Sequence, residues 1–98
     1  MYGLLTTFTT QPGQRDHVIA PLLEAAASLE THPGCLHYII SSSDEPDVLH
    51  VREIWTNTNT HLASLELPLT RQLIVQARPL LQHVERVLED RPIGGKGL

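Results

Sequence analysis

Ninety-eight residues suffice for one domain and leave little room for a second core or an interdomain linker. Hydrophobic residues make up 41% of the chain and charged residues 18%, with a net charge of −4, which argues against a disordered chain and against a general binder of nucleic acid or anionic membranes. No apolar run approaches the ~18–20 residues of a membrane span, no basic region precedes an apolar stretch at Met1–Leu5, and Cys35 is the single cysteine; the expectation is a cytoplasmic protein without an internal disulfide or thiolate cluster, whose partners are small molecules or a second copy of itself.

Residues 2 to 9 are rich in aromatic, aliphatic and β-branched types and stop at Gln11-Pro12-Gly13, so a first strand ending in a turn is predicted. From about Gln14 to Thr31 the apolar residues Val18, Leu22, Ala25, Ala26 and Leu29 fall on one helical face, with Asp16 in the first turn. Pro21 interrupts this pattern, because an interior proline removes one backbone hydrogen bond; the expectation is a kink there or a later start of the regular helix. His32-Pro33-Gly34 ends it. Residues 35–42 and 48–56 read as two strands of a hairpin joined through Asp44-Glu45-Pro46-Asp47. Thr56 or Asn57 caps the next helical stretch, which Pro68 divides into two pieces and Pro79 closes. A final strand alternates Val84, Arg86 and Leu88 with Glu85, Val87 and Glu89. The tail, residues 93–98, holds three glycines and is expected to lack regular structure by itself, leaving residues 1–92 as the domain.

The order strand, helix, strand, strand, helix, strand is that of the ferredoxin-like split βαβ fold, an α+β architecture whose antiparallel sheet carries helices on one face. With residue 43 opposite 48, one hairpin face carries Leu36, Tyr38, Ile40, Leu49, Val51, Glu53 and Trp55, and the other His37, Ile39, His50, Arg52 and Ile54. Both faces are partly apolar, and two helices cannot cover both. A homodimer packed through the second face is expected, the plainer alternative being a solvated face with scattered aliphatics.

The search for chemistry narrows quickly. Six histidines show neither an i, i+4 pair on a helix nor a Cys-His knuckle, and His37 with His50 would make only two ligands, so no metal site is expected. There is no nucleophile elbow and no phosphate-binding glycine loop. Ferredoxin-like sheets that bind RNA use paired aromatics and a basic surface; four aromatics and an acidic balance do not fit. What remains is Trp55, ending a strand after Glu53, and His61, six residues on in the first turns of a helix. A tryptophan there can wall an apolar pocket, and a histidine of ordinary pKa ~6.5 can take a proton near neutrality. Taken alone, the pair fits better as an ordinary core residue and a surface residue.

Several stretches together resemble the antibiotic biosynthesis monooxygenase family, small dimeric ferredoxin-like proteins that include quinol monooxygenases. They are Tyr2-Gly3-Leu4; Thr7-Phe8-Thr9 followed by Pro12-Gly13-Gln14-Arg15-Asp16; Pro33-Gly34-Cys35-Leu36-x-Tyr38; Glu53-x-Trp55 with His61 beyond; Ala77-Arg78-Pro79-Leu80; and Arg91-Pro92-Ile93-Gly94-Gly95-x-Gly97-Leu98. The resemblance implies a dimeric α+β barrel and a cofactor-independent monooxygenase. In such proteins a small quinol or hydroxylated aromatic sits between sheet and helices, and its deprotonated form reacts directly with O2. Carried onto this chain, it implies Trp55 as the ring wall and His61 as the base. Tyr38, Glu53 and Arg86 follow as hydrogen-bond partners and Phe8, Leu36 and Leu65 as apolar lining, these six by strand alternation and helical spacing. Polyketide-modifying members carry asparagine where Val51 stands. Haem-degrading members carry a first-strand asparagine, where this chain has Thr6 and Thr7, and a helical histidine where it has Leu65. Neither activity is implied here. The alternative is a non-catalytic dimeric ligand-binding or stress-response domain of the same family.

Overall fold

The computed structural model describes residues 1–98. Its elements are β1 (Tyr2–Thr10), α1 (Arg15–Ser28), β2 (Cys35–Ser42), β3 (Val48–Trp55), α2 (Thr58–Ser64), α3 (Pro68–Ala77), a single 3-10 turn over Arg78–Leu80, and β4 (Leu81–Asp90). The four strands form one antiparallel sheet in the order β2-β3-β1-β4. The helices lie on one face of it, the ferredoxin-like arrangement that the order of elements predicts. No helix is long and apolar enough to cross a membrane.

Local chemistry sets the joints. Gly13 takes φ 75°, which a side chain would resist, and its N–H donates to Asp47 Oδ1 at 3.0 Å, tying the β1–α1 turn to the hairpin loop. Arg15 adds hydrogen bonds to the Ser43 and Glu45 carbonyls of that loop, both at 3.3 Å. The helix starts at Arg15 and runs through Pro21, so its regular part does not begin late. The bond that Pro21 cannot make would reach the carbonyl of His17, an exposed residue whose oxygen water can serve instead. The regular helix stops at Ser28, short of Thr31, and a turn in which the His32 N–H donates to the Leu29 carbonyl leads into Pro33-Gly34. Asn57 caps α2 by accepting from the Thr60 N–H at 2.8 Å, and Pro68 occupies the first turn of α3, where its missing N–H costs nothing.

The hairpin register is the predicted one, with Ser43 N–H on the Val48 carbonyl and Ser42 opposite Leu49. Three bulges break simple alternation, one of them at Gln82, between the Thr9–His83 and Thr10–Leu81 pairs. Cys35 opposes Trp55 and His37 opposes Ile54, so Leu36 is the extra residue, and it lies exposed at the β2 edge instead of entering the space between sheet and helices. On β4, Arg86 opposes Thr6 while Leu88 opposes Leu5, so Val87 is extra; Leu88 therefore leaves the face of Val84 and Arg86, and Glu89 joins it.

The core centres on Tyr2, Leu4, Leu29 and Trp55, with Cys35 and Tyr38 packed beside it. On the opposite, outer face, Arg52 forms a bidentate pair with Asp90 at 3.1 and 3.2 Å across β1, and a Cβ at Gly3 would collide with the Asp90 carboxylate. The C-terminal tail crosses that same face. Pro92 lies against Gly3, and His37 Nε2 donates to the Gly97 carbonyl at 2.8 Å, so the tail spans the row that joins Gly3, Ile54 and His37. Ile54 is buried as a result of lying in that row.

Candidate functional site

Between sheet and helices lies a cavity of about 500 Å3. Its floor follows the inward residues of the sheet in rows. Tyr2 pairs with Trp55; Leu4 lies between Glu53 and Glu89, with Tyr38 beyond; Thr6 lies between Val51 and Arg86; Phe8 lies between Leu49 and Val84. Of these, Trp55, Glu53, Tyr38, Thr6, Arg86, Phe8 and Val84 border the cavity. Its roof is apolar, formed by Pro21, Leu22 and Ala25 of α1 and Leu73, Ile74 and Ala77 of α3. Pro21 thus has a place in the wall as well as in the helix.

Seven of the eight residues singled out from the sequence meet here: Phe8, Tyr38, Glu53, Trp55, His61, Leu65 and Arg86. Leu36 does not, because the bulge at its position sends it to a shallow groove between β2 and the end of α1. His61 is also not the surface residue that its helix position suggests. It is 5% exposed, with its ring 5.6 Å from those of both Tyr2 and Trp55. Trp55 is 1% exposed, and His32 meets it edge-on at 5.7 Å.

Glu53, His61 and Tyr38 gather at the Trp55 end, while Arg78, Gln82 and His83 border the opposite end. Glu53 Oε1 accepts from the indole Nε1 of Trp55 at 3.1 Å and stands 3.8 Å from His61 Nε2. The other imidazole nitrogen, Nδ1, is buried without a hydrogen-bond partner. Burial pushes the Glu53 carboxyl above the usual carboxylate range, opposed by the Trp55 hydrogen bond and the Arg86 guanidinium. Burial lowers the His61 pKa, and Arg86 lowers it further. Burial and Glu53 also raise the Tyr38 phenol and lift the Cys35 thiol to about 11, so neither ionises near neutrality. Among the residues of this end, His61 is therefore the neutral base.

Two residues that alternation alone did not bring forward complete the site. Glu89 accepts from Arg86 at 2.9 Å and from the Tyr2 hydroxyl at 3.1 Å, so one half-exposed carboxylate ties Arg86 of the cavity wall to Tyr2 of the core. Tyr2 could have been found from its place two residues before Leu4 on the inward side of β1. Glu89 could not, since only the bulge at Val87 turns it inward. Nowhere do three or more His, Cys, Asp or Glu side chains come together in a metal-holding group; His37 and His50 share the outer face, but His50 is engaged with Thr7 at 2.9 Å and His37 with the tail.

The sequence profile of the antibiotic biosynthesis monooxygenase family matches residues 1–74. The chain belongs to this family. Among solved structures, a protein from Chloroflexus aurantiacus assigned as an antibiotic biosynthesis monooxygenase is 38% identical, covering 96% of this chain and 94% of its own, with a TM-score of 0.81. A Deinococcus radiodurans protein with the same assignment is 21% identical, over 97% of this chain and 95% of its own, with a TM-score of 0.83. One from Nitrosomonas europaea is 11% identical, over 96% of this chain and all of its own, with a TM-score of 0.86. The last two show a shared fold alone. No curated protein matches the chain. Membership supports a monooxygenase-like role at the level of the family, and Trp55 and His61 fall within the matched segment while Arg86 and Glu89 lie beyond it.

Proposed function

We propose that this antibiotic biosynthesis monooxygenase family member is a cofactor-independent monooxygenase acting on a small quinol or hydroxylated aromatic. The observation that carries this reading is the buried, unpaired Nδ1 of His61, a residue that lines the Trp55 end of a largely apolar cavity. A buried polar atom left without a partner costs about 1–3 kcal/mol, which a ligand hydroxyl would return. Trp55 walls the ring. The neutral imidazole accepts the hydroxyl proton as the substrate becomes a phenolate, and the phenolate supplies its electrons to O2. One oxygen atom enters the ring and the other leaves as water with the two hydrogens the quinol gives up, so the ring, the only reductant, ends as a hydroxyquinone. Glu53, 3.8 Å from the imidazole, favours the imidazolium once it forms, and Arg86, held by Glu89, offers positive charge to the phenolate. The apolar walls keep bulk water from competing.

A homodimer forms part of the same proposal. The outer sheet face leaves Ile39 49% and Leu88 43% exposed outside the strip that the tail covers, and a second copy would bury them.

Oxygen uptake tests the catalytic reading. Chelator-treated protein is given a panel of hydroquinones and compared with His61→Ala. Enzyme-dependent uptake that falls about 100-fold or more in the variant is expected. Thermal stabilisation by the same compounds with no uptake would replace this reading with the non-catalytic ligand-binding one.

A further inference from the structure

The cavity is too long and too large for a lone ring. An apolar cavity of about 150 Å3 already accommodates benzene, and this one is about 500 Å3. Its bordering residues run from Trp55, in the row of Tyr2, to Val84, in the row of Phe8. Six residues of extended strand separate those rows, about 20 Å at ~3.3 Å per residue. On the roof the bordering residues of α1 run from Leu29 back to Pro21, eight residues or about 12 Å of helix rise. Both measures exceed one ring.

The two ends also differ in kind. Tyr38, Glu53 and His61 lie at the Trp55 end, which is closed: Trp55 and His61 have almost no exposure. The other end is bounded by Phe8, Leu81 and Val84 below and Ala77 above, with Arg78, Gln82 and His83 beside them, and Val84 is 49% exposed at the rim. An enclosed head compartment thus continues into a channel walled by Phe8, Leu22, Ile74 and Ala77, whose mouth at the start of β4 also carries Arg78, Gln82 and His83.

We infer that the ligand is a head-and-tail molecule: a hydroxylated ring seated against Trp55 and His61, carrying an apolar chain of several carbons that lies along Phe8, Leu22 and Ile74 and leaves past Ala77 and Val84. This inference rests on the reading of the cavity as the substrate site and narrows it from small quinols to alkyl- or prenyl-substituted ones. Each methylene drawn from water into the channel strengthens binding by about two- to fourfold.

The test uses two parallel series with chains from methyl to heptyl. Alkylresorcinols report binding alone, through the fluorescence of Trp55, the only tryptophan. Alkylhydroquinones report oxygen uptake. Affinity should rise with each methylene until the channel is filled, for a total gain of at least about tenfold. In Val84→Asp, which sets a charge at the rim on an exposed residue where folding tolerates it, the rise should flatten. In Ala77→Leu, which fills the channel, it should also flatten. A flat series in the parent, or a rise that survives in both variants, overturns the inference. The catalytic reading is judged separately: uptake with a flat series leaves catalysis standing without the tail site, and a steep series without uptake leaves the tail site standing without catalysis.

Discussion

Glu53 and His61 face each other across 3.8 Å, and burial moves their proton affinities in opposite directions, the carboxyl up and the imidazole down. With its pKa below 6.5, His61 is the neutral base at pH 7, so the acid limb of kcat/KM is expected to have its midpoint below pH 6.5. A profile with that midpoint above 6.5 would rule out His61 as the base. The same shift has a stability consequence. A group whose folded pKa is depressed contributes fully above its unfolded pKa, and the contribution is lost as pH falls toward the folded value. Thermal stability of the parent should therefore drop more between pH 7 and 5.5 than that of His61→Gln. Glu53, with a raised folded pKa, acts with the opposite sign, its contribution being lost as pH rises above 4.5, but it is present in both proteins, so the difference between them belongs to His61. At this scale Phe8 and Tyr38 were legible in the sequence because strand alternation fixes their directions, whereas Trp55 and His61 came forward only through the family resemblance. The burial of His61 was not legible, because it depends on Tyr2 and Trp55 converging on it from two different strands.

The elements themselves were legible wherever a residue has only one way to serve. Pro68 suits the first turn of a helix, Asn57 can cap one, and Pro33-Gly34 favours a turn; Pro21, which continues α1, is the exception. The three bulges were hidden, since nothing in the residue type of Leu36, Gln82 or Val87 marks it as the extra residue, and each inverts the facing of what lies beyond it. Leu36 was misplaced for that reason, and Glu89 was missed. The turn at Gly34 has a measurable role. A Cβ there would run into the Thr60 side chain, and the Gly34 carbonyl accepts from the Thr56 N–H at 2.9 Å, so β2, β3 and the start of α2 meet around one hydrogen atom. Gly34→Ala is expected to destabilise the fold by about 1–3 kcal/mol, and Asn57→Ala by about 1 kcal/mol through loss of the cap. Urea denaturation of both variants checks this; a Gly34→Ala variant as stable as the parent would mean that α2 moves aside freely.

Across the whole molecule, the helices cover one side of the sheet, the tail covers one row of the other, and the remaining outer residues stay open. The two-faced hairpin already indicated in the sequence that one apolar face would lack a helix. The path of the tail was not legible, because its glycines specify no structure and its position depends on contacts at Gly3 and His37. If a second copy covers the rest, Ile39→Asp should shift the protein from dimer to monomer at micromolar concentration in analytical ultracentrifugation while leaving its far-UV circular dichroism intact. An unchanged sedimentation coefficient would place the interface elsewhere or remove it. Neither outcome alters the cavity, which lies on the far side of the sheet.

The account depends most on the unpaired nitrogen of His61 being where a ligand hydroxyl arrives. Protein labelled with 15N at histidine, titrated at pH 7 with a monohydric phenol that does not turn over, reads this directly. The His61 Nδ1 resonance should move by tens of parts per million toward the value of a hydrogen-bonded or protonated nitrogen, with the five other histidines stationary. A stationary His61 signal at saturating phenol, with Trp55 fluorescence reporting a filled cavity, would contradict it.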